Sequence, residues 1–230
     1  MSGITVIIPS RNAGNLTPCL AALRQHDPGL RVIVEWHTHG EYAPIEIAER
    51  DDIDTRYVRE PWCFSKACNQ GIETAGTDSV VLYNDDILLV TPGGISRMVE
   101  IVEADQSIGL IAPLTNVTGH GDQSSHLWLS GDRIRTARTV AFLCVLIPRR
   151  TIETVGLLDE RFVTYGGEDI DYCRRVQQAG LRVAVYDGCY VDHGSLPSTF
   201  RPGSGSGDIA EGLRLLGEKW GPTWTVNLAC

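Results

Sequence analysis

Residues 80–86 read Val-Val-Leu-Tyr-Asn-Asp-Asp, an apolar run that is followed at once by an amide and two carboxylates. The apolar part is typical of a buried strand, because it is short, continuous and lacks polar alternation. The polar part lies where the chain leaves the sheet. Ligands of open α/β sheets bind at the carboxyl ends of the strands, so this stretch predicts a fold class and a ligand site together.

Strand-like and helix-like segments alternate on both sides of this stretch. The pattern predicts strands at residues 4–8, 30–34, near 58, 80–83 and 109–112, and helices at residues 16–23, 45–50, 64–75 and 95–102. We expect Pro9 to end the first strand, Asn15 to cap the first helix and Gly76 to end the third. This order predicts a single-domain, Rossmann-like α/β fold, with a mixed, mainly parallel sheet and helices on both faces.

The pattern is less regular after residue 112. Residues 113–139 lose periodicity and accumulate Gly, Ser, Thr, Asn and His, which indicates a functional loop. Beyond it we expect a strand at 139–147, a helix at 168–179, a strand at 181–186 and a last helix at 208–220. Residues 203–207, Gly-Ser-Gly-Ser-Gly, predict a flexible hinge. We therefore expect a main domain at residues 1–200, followed at residues 201–230 by the hinge and a C-terminal helix.

The charge of the chain limits the partners of its general surface. The 230 residues include 20 Lys and Arg against 29 Asp and Glu, a formal net charge of −9. Such a surface repels phosphate backbones and anionic membranes, so nucleic acid is disfavoured as a partner. A divalent cation reverses the local sign, and an acidic ligand can therefore still bind together with its metal.

Composition also indicates a compartment. The longest apolar run, residues 140–147, is far shorter than the ~20 residues that span a bilayer, so no transmembrane anchor is expected. The N-terminus lacks the basic stretch and cleavage site of a secretory signal. The seven cysteines form no CxxC pair, which favours reduced thiols over a disulfide framework or a zinc ribbon. We expect a cytoplasmic protein.

The first of three polar clusters is Asn84-Asp85-Asp86. Two adjacent carboxylates suit Mg²⁺ or Mn²⁺, which takes one or two protein carboxylates and completes its shell with phosphate oxygens and water. A solvated turn explains the same residues equally well, since Asn and Asp favour turns.

The second cluster places Glu168, Asp169 and Asp171 in the first turn of a helix, directly after Gly166 and Gly167. The helix dipole alone favours carboxylates there, and Asp171 can pair with an arginine one turn later. The two glycines, however, allow another molecule to approach the backbone closely. A carboxylate fixed at such a helix end can serve as a general base.

The third cluster is Val191-Asp192-His193-Gly194-Ser195, just after the last sheet strand. An isolated histidine is more often a surface residue than a ligand, but an imidazole that joins a carboxylate commonly completes a metal shell.

Six segments, in this order, resemble the family-2 glycosyltransferases with the A-type nucleotide-binding fold. They are Ile4-Thr-Val-Ile-Ile-Pro-Ser-Arg-Asn12, Phe64-Ser-Lys-Ala-Cys-Asn-Gln-Gly-Ile72, Leu82-Tyr-Asn-Asp-Asp-Ile87, Val155-Gly-Leu-Leu-Asp-Glu-Arg-Phe162, Gly167-Glu-Asp-Ile-Asp171 and His193-Gly-Ser195. The resemblance covers residues 4–200, most of the chain. It implies a metal-dependent enzyme that moves a sugar from a nucleoside diphosphate donor to an acceptor hydroxyl, with inversion at the anomeric carbon.

The resemblance also implies roles for the first and third clusters. Asn84, Asp85 and Asp86 match the family's metal-binding Asp-x-Asp with Asn in the first place. Asp86 is then expected to bind Mn²⁺ or Mg²⁺, with Asn84 and Asp85 at the donor nucleotide. His193 matches the third motif of the family, a metal or diphosphate ligand.

Five further residues match segments that hold the nucleoside of the donor, namely Pro9, Ser10, Asn12, Lys66 and Asn69. One departure follows the second strand, where the family usually has an Asp that reads the base and this chain has Glu35. The longer side chain makes the usual uridine preference less certain, although a UDP-sugar stays the favoured donor. His37 and His39 follow in a loop that is either exposed or in contact with the donor base.

The base and the acceptor site come from the remaining matches. Asp169 matches the catalytic base of the family, with Glu168 beside it to place the acceptor or to orient Asp169. Asp171, His126 and Trp128 are expected near the acceptor, with Trp128 stacking on a sugar or a planar base or packing in the core.

The sequence leaves the identity of the acceptor open. A glycan, a protein side chain, a lipid-linked sugar and a hydroxylated nucleobase all offer a hydroxyl. Lipid is disfavoured because no anchor is visible, and DNA is disfavoured by the charge. Five arginines have two interpretations: they bind a polyanionic acceptor, or they form a solvated face of the protein. They are Arg133, Arg135, Arg138, Arg149 and Arg150.

Two other functions compete with transfer. A sugar-phosphate nucleotidyltransferase on a related fold is expected to carry a Gly-rich, basic loop after the first strand, and here that loop has one Arg and one Gly. A catalytically inactive nucleotide- or glycan-binding module is disfavoured because Asp86, Asp169 and His193 are all present.

Overall fold

A computed structural model of the chain describes residues 3–37, 43–48, 50–58, 63–125, 131–163, 166–198 and 209–221. The strands are β1 (Ile4–Ser10), β2 (Arg31–Trp36), β3 (Ile53–Tyr57), β4 (Ser79–Tyr83), β5 (Leu88–Leu89), β6 (Ile108–Thr115), β7 (Ile134–Ala137), β8 (Cys144–Ile147) and β9 (Arg182–Asp192). The helices are α1 (Ala13–His26), α2 (Ile45–Ala48), α3 (Phe64–Ala75), α4 (Gly94–Ala104), α5 (Arg149–Val155), α6 (Glu168–Gln178) and α7 (Ile209–Trp220), with a short 3₁₀ turn at Gly121–Gln123.

The strands form one sheet in the order β3-β2-β1-β4-β8-β6-β9-β5, and β7 pairs with β9. Strands β3, β2, β1 and β4 are parallel neighbours, and β6 is parallel to β9. Strand β8 runs antiparallel to both β4 and β6, so these two strands point the same way. The predicted mixed, mainly parallel sheet is confirmed. Its parallel strands all have their carboxyl ends at one edge, the carboxyl edge.

The alternation of side chains along β1 divides the core into two layers. Val6 and Ile8 pack with residues of α1 and α4 on one face of the sheet. Ile7 packs on the other face, against Ile72 of α3 and in the same cluster as Val176 of α6. Successive residues of a strand point to opposite faces, so the continuous apolar run in β1 places helices on both faces, as predicted.

Two expectations at the start of the chain are wrong. Asn12, and not Asn15, caps α1, because its side chain accepts hydrogen bonds from the N–H groups of Gly14 and Asn15. Strand β1 also continues through Pro9 to Ser10. Proline is tolerated there because the pairing of β1 with β4 ends at Ile7, so the missing N–H removes no bond on that side.

The region between residues 113 and 147 is more ordered than expected. Strand β6 extends to Thr115, and β7 pairs antiparallel with β9 inside the stretch predicted to be irregular. Strand β7 has four mostly half-buried or exposed residues and no clear apolar alternation, which is why its sequence did not signal a strand. The strand expected at 139–147 is confined to Cys144–Ile147, and α5 follows it without having been predicted.

Other boundaries differ by a few residues. The third strand is Ile53–Tyr57 and ends just before residue 58, and β9 runs on to Asp192, six residues beyond its predicted end at 186. Helix α3 ends at Gly76 as predicted, and α7 matches the predicted last helix. The predicted hinge at residues 203–207 lies outside the described residues. None of the helices in the described ranges has both the length and the apolar character needed to cross a bilayer.

Candidate functional site

The carboxyl edge brings Ser10 and Asp85 together from β1 and from the turn after β4. The Ser10 hydroxyl donates to Asp85 Oδ2 at 2.6 Å, and both residues are buried. The adjacent Asn84 is fixed through its backbone, since its N–H donates to the carbonyl of Leu143 at 2.8 Å. The polar turn predicted from sequence is therefore held from two sides and is not a solvated turn.

Asp86 lies beside His193, which follows β9. The two meet at 3.6 Å between Asp86 Oδ2 and His193 Nε2, and the aspartate is 4% exposed. Asp86 Oδ1 is buried and has no hydrogen-bond partner in the described part of the chain. A buried carboxylate oxygen without a partner is costly, so Asp86 is an incomplete site that a cation would complete.

The orientation of His193 fits the same role. Its Nδ1 lies 2.8 Å from the carbonyl oxygen of Val117, so Nδ1–H donates there and Nε2 faces Asp86. Burial lowers the pKa of His193, but the contacts with Asp86 and with the Val117 carbonyl outweigh burial and raise the pKa overall. A backbone carbonyl on one ring nitrogen is the usual support of a histidine that binds a metal through the other.

The end of β6 holds the segment that carries His193. Asn116 donates to Asp192 Oδ1 at 2.7 Å and accepts the backbone N–H of His193 at 2.8 Å. Asp192 also accepts hydrogen bonds from the Gly194 N–H and the Ser195 hydroxyl. Asn116 and Val117 belong to no motif of the sequence, and their partners lie more than 70 residues along the chain.

Asp86 and His193 fit a metal that arrives with a phosphate ligand. Within the residues that the structure describes, no group of three or more His, Cys, Asp or Glu side chains can hold a metal ion. Mg²⁺ and comparable hard cations are commonly held by one or two protein ligands, with substrate phosphates and water filling the other positions. Asp86 and His193, with one carboxylate oxygen that has no partner in the described chain, match this mode of binding. They do not match a site in which the protein alone supplies every ligand.

The second half of the site is the start of α6. Gly166 and Gly167 have φ of 97° and 103°, in the left-handed region that favours glycine, and a Cβ at Gly167 would lie 2.8 Å from the Phe162 ring. Asp169 follows in the first turn, where its Oδ1 accepts the N–H of Ile170 at 2.7 Å. Its Oδ2 lies 3.0 Å from His120 Nε2. Both oxygens of the predicted base are thus positioned by the protein.

Glu168 and Asp169 lie in different environments. Glu168 Oε2 is buried without a hydrogen-bond partner in the described ranges. Burial first, and the charge of Asp169 second, raise the pKa of Glu168 well above its usual range. Glu168 therefore holds its proton to a higher pH than a free carboxyl group does.

Asp171, predicted near the acceptor, is fully buried between α6 and α7. Its Oδ1 accepts the indole N–H of Trp220 at 2.9 Å and meets Lys219 Nζ at 2.8 Å, and its Oδ2 accepts from Arg175 at 3.0 Å. Because both oxygens serve the packing of these helices, the structure gives Asp171 a structural place, as in the arginine-pairing alternative. The same helix α7 lies against Gly166, since a Cβ on Gly212 would be 1.9 Å from the Gly166 carbonyl oxygen.

Glu35 is completely buried at the carboxyl end of β2. Its Oε2 accepts from Gln70 Nε2 of α3 at 2.7 Å, while Oε1 has no hydrogen-bond partner among the described residues. Burial raises the pKa of Glu35 to about 7. His37 follows on the same strand end and donates its backbone N–H to the Ser10 carbonyl at 2.8 Å. Glu35 therefore lies on the strand next to β1, beside the residues predicted to bind the nucleoside.

The other predicted donor residues divide between the edge and the interior. Pro9 lies in β1, Asn12 caps α1, and Lys66 is in the first turn of α3. Asn69 is 3% exposed and is tied to the backbone of Leu158 by two hydrogen bonds of 2.9 Å. That pairing attaches α3 to the 156–163 segment, so Asn69 has a structural role in the chain. The predicted residues His39, His126 and Trp128 lie outside the described residues.

Comparisons with known proteins agree with this architecture. No protein-family model matches the chain. It is 26% identical, over 83% of its length, to the pre-mycofactocin glycosyltransferase of Mycobacterium tuberculosis, and 27% identical, over 57% of its length, to an uncharacterised protein, y4gI, of Sinorhizobium fredii. The matched parts make up 42% and 17% of those two proteins, so the chain spans less than half of the relatives it matches.

A solved structure extends the likeness to nearly the whole chain. The fold superimposes with a TM-score of 0.74 on the crystal structure of GalNAc-T7 with UDP, GalNAc and Mn²⁺, over 98% of this chain and 49% of that one, at 14% sequence identity. The predicted A-type glycosyltransferase fold is confirmed.

Proposed function

We propose that this chain, which has the A-type glycosyltransferase fold, is a metal-dependent glycosyltransferase that moves a sugar from a nucleoside diphosphate donor to an acceptor hydroxyl, with inversion at the anomeric carbon. The observation that carries the proposal is the pair of Asp86 and His193, with the buried Asp86 Oδ1 left without a partner in the described chain. The proposed base, Asp169, lies in the first turn of α6.

Asp86 and His193 would hold Mn²⁺ or Mg²⁺ at the carboxyl edge. When bound, the cation supplies positive charge that neutralises the negative charge on the departing diphosphate. The hydroxyl of Ser10 fixes Asp85, the neighbour of Asp86, so the acidic side chains at the carboxyl edge are held in place. This arrangement supports binding of a diphosphate together with its metal, in spite of the net charge of −9.

Asp169 would accept the proton of the attacking hydroxyl. A general base has to lie within hydrogen-bond reach of that proton, and the hydroxyl has to be in line with the departing oxygen. The neutral Glu168 beside Asp169 can donate a hydrogen bond, either to the acceptor or to Asp169. Inversion follows from a single displacement in which base and leaving group are on opposite sides of the sugar.

The donor is proposed to be a UDP-sugar. The superimposed GalNAc-T7 structure was solved with UDP and Mn²⁺, which supports this choice. Glu35 is the proposed contact to the base of the donor, supported by its unpaired Oε1 in the described chain. Residues 1–200 would form the catalytic domain, and residues 201–230 a hinge with a helix over the active site. A glycan, a protein side chain or a hydroxylated nucleobase would serve as acceptor.

A thermal-shift panel tests donor and metal together. UDP-, GDP-, dTDP- and CMP-sugars are each added with and without Mn²⁺, and hydrolysis of the stabilising donor is then followed without acceptor. We expect one nucleotide to raise the melting temperature only when Mn²⁺ is present, with slow hydrolysis. Stabilisation that is unchanged by Mn²⁺ would contradict the metal site, and binding without any hydrolysis or transfer would favour the inactive binding module.

A further inference from the structure

We propose that His120 is the positioning residue of the proposed base, holding Asp169 through its Nε2–H while the hydroxyl of Thr139 selects the tautomer. This inference rests on the proposed function. Neither residue lies in any of the six segments that carry the family resemblance, and both lie in the stretch that the sequence leaves without periodicity.

The contacts form a short chain of hydrogen bonds. His120 Nε2 lies 3.0 Å from Asp169 Oδ2, and His120 Nδ1 lies 2.7 Å from Thr139 Oγ1. The side chains of His120 and Asp169 are 13% and 15% exposed, so water competes little for their contact. The backbone N–H of His120 is also fixed, because it donates to Thr118 Oγ1 at 3.0 Å.

The direction of these bonds follows from the chemistry of the groups. An ionised Asp169 only accepts hydrogen bonds, so the proton between it and His120 belongs to Nε2. A neutral imidazole protonated at Nε2 has a lone pair on Nδ1, to which the Thr139 hydroxyl can donate. Thr139 therefore favours the one neutral tautomer in which His120 donates to Asp169, as a third group orients the histidine of a catalytic triad.

The loop that carries His120 also reaches the metal side of the site. Two residues of this loop hold the segment after β9, since Asn116 bonds Asp192 at 2.7 Å and the Val117 carbonyl accepts from His193 at 2.8 Å. His120 follows three residues after Val117. A single short segment therefore sets the position of Asp169 and of the proposed metal ligand His193, which aligns the base with the donor.

Positioning of this kind predicts an effect on turnover and not on donor binding. A misplacement of about 1 Å at a reacting group costs on the order of 10²-fold in rate. For His120→Phe, which keeps a ring of similar shape and removes both ring nitrogens, we expect kcat to fall by roughly 10- to 100-fold with an unchanged KM for the donor. His120→Gln places an amide donor near the Nε2 position and is expected to recover most of the loss.

Matched variants at Thr139 test the tautomer. Thr139→Val removes the hydroxyl and is expected to lower kcat a few-fold, by roughly 2- to 5-fold, while Thr139→Ser keeps wild-type turnover. In ¹⁵N NMR spectra we expect the proton on Nε2 of His120 in the wild type, and a mixture of tautomers in Thr139→Val. This readout does not depend on turnover and identifies the contact even if the natural acceptor is not in the assay.

The outcomes separate this inference from the proposed function. A wild-type chain that neither binds nor transfers from any nucleotide-sugar contradicts the proposed function, whatever His120 does. If the wild type turns over, a His120→Phe variant with wild-type kcat overturns the positioning role. Equal losses in His120→Phe and His120→Gln, with a matching loss of donor affinity and melting temperature, also overturn it, because they indicate a structural role alone.

Discussion

The two halves of the proposed site differ in what holds their key carboxylates. On the metal side, Asp86 has a buried Oδ1 without a partner in the described chain, and its Oδ2 lies 3.6 Å from His193 Nε2. On the base side, Asp169 has both oxygens placed, one by His120 and one by the Ile170 N–H. Asp86 on the metal side needs a ligand to complete its contacts, whereas Asp169 on the base side already has both oxygens placed in the folded chain.

This difference has an energetic consequence. A buried polar atom without a partner costs roughly 1–3 kcal/mol, and a bound cation with its diphosphate would recover that cost at Asp86. Donor binding is therefore expected to stabilise the fold through the metal side. Asp169 gains little from donor, because it is oriented before any substrate arrives, as preorganised catalysis requires.

The largest expected effect tests the base side. Asp169→Asn removes the proton acceptor and retains the shape, so we expect transfer to fall by roughly 10²- to 10⁴-fold while donor affinity is unchanged. Turnover and donor affinity are measured on the same preparation. Asp51→Asn, at an exposed turn residue, is the matched control and is expected to behave like the wild type. Turnover near the wild-type level in Asp169→Asn would refute the assignment of the base.

The next effect tests the metal side. Asp86→Ala removes a carboxylate ligand, so we expect donor affinity in the presence of Mn²⁺ to fall by roughly 10- to 100-fold, to the level seen with a chelator. Isothermal titration with and without Mn²⁺ measures this difference, with Asp51→Ala as control. An affinity that stays wild-type and Mn²⁺-dependent in Asp86→Ala would show that the metal binds elsewhere.

A third variant tests whether α7 supports the base side. The Cβ added by Gly212→Ala would lie 1.9 Å from the Gly166 carbonyl oxygen, so the helix has to move away from the start of α6. Overpacking of this kind costs about 1–3 kcal/mol of unfolding free energy. We expect the misalignment to lower turnover about tenfold, which corresponds to a rise of ~1.4 kcal/mol in the activation free energy. Donor affinity is expected to stay constant.

Urea unfolding and turnover assays measure the two effects. Glu218→Ala, at an exposed position of the same helix, is the control and is expected to change neither. If Gly212→Ala weakens donor binding as strongly as it slows turnover, α7 does not act on the base side alone.

The last test concerns stability alone, at Glu35, another buried carboxylate with an oxygen that has no hydrogen-bond partner in the described chain. Burial raises the pKa of Glu35 from 4.5 to about 7 in the folded chain. As pH rises, Glu35 loses its proton in the unfolded chain before it does so in the folded chain. The stability that neutral Glu35 contributes is therefore fully present below pH 4.5 and is lost as pH rises to about 7. Glu35→Gln cannot ionise and is free of this loss.

We therefore expect the unfolding free energy of Glu35→Gln, relative to wild type, to rise between these two pH limits by up to roughly 3 kcal/mol. Urea denaturation at about pH 5 and about pH 8 measures it. The pKa of Glu168 is also raised, but Glu168 is present in both proteins, so its contribution to the pH dependence cancels in the difference. Glu73→Gln, exposed on α3, is the control. A constant difference across this range would contradict the raised pKa of Glu35.

The sequence predicted the fold best where apolar periodicity is strong. Strands β1, β2 and β4 and helices α1, α3 and α4 follow such patterns, and their order determines the parallel half of the sheet. Strands β5 and β7 were missed because a two-residue and a four-residue edge strand carry too few side chains to set a period. The cap of α1 was misplaced from Asn12 to Asn15 because both asparagines precede apolar helical positions.

The site was predictable where the topology of the sheet brings residues that are distant in sequence to the same place. Because parallel strands end at the same edge, residues after β4 and β9 meet, and Asp86 and His193 do so. No such rule joins His120 to Asp169, which are 49 residues apart and on a loop and a helix. Asp171 was expected near the acceptor, but it lies two residues after Asp169, on the opposite side of α6. There it contacts Trp220 and Lys219 of α7, and a sequence pattern does not show that packing.

The position of β8 has a consequence for how the chain acquires its site during synthesis. Strands β1 to β4 can pair with one another as soon as they are made, but the other neighbour of β4 is β8, which is synthesised more than 60 residues later. The partner of Asp86, His193, emerges later still. Long-range pairings of this kind form slowly, so a nascent chain exposes the β4 edge well before it is able to bind donor, and this is the interval in which chaperone protection is most useful.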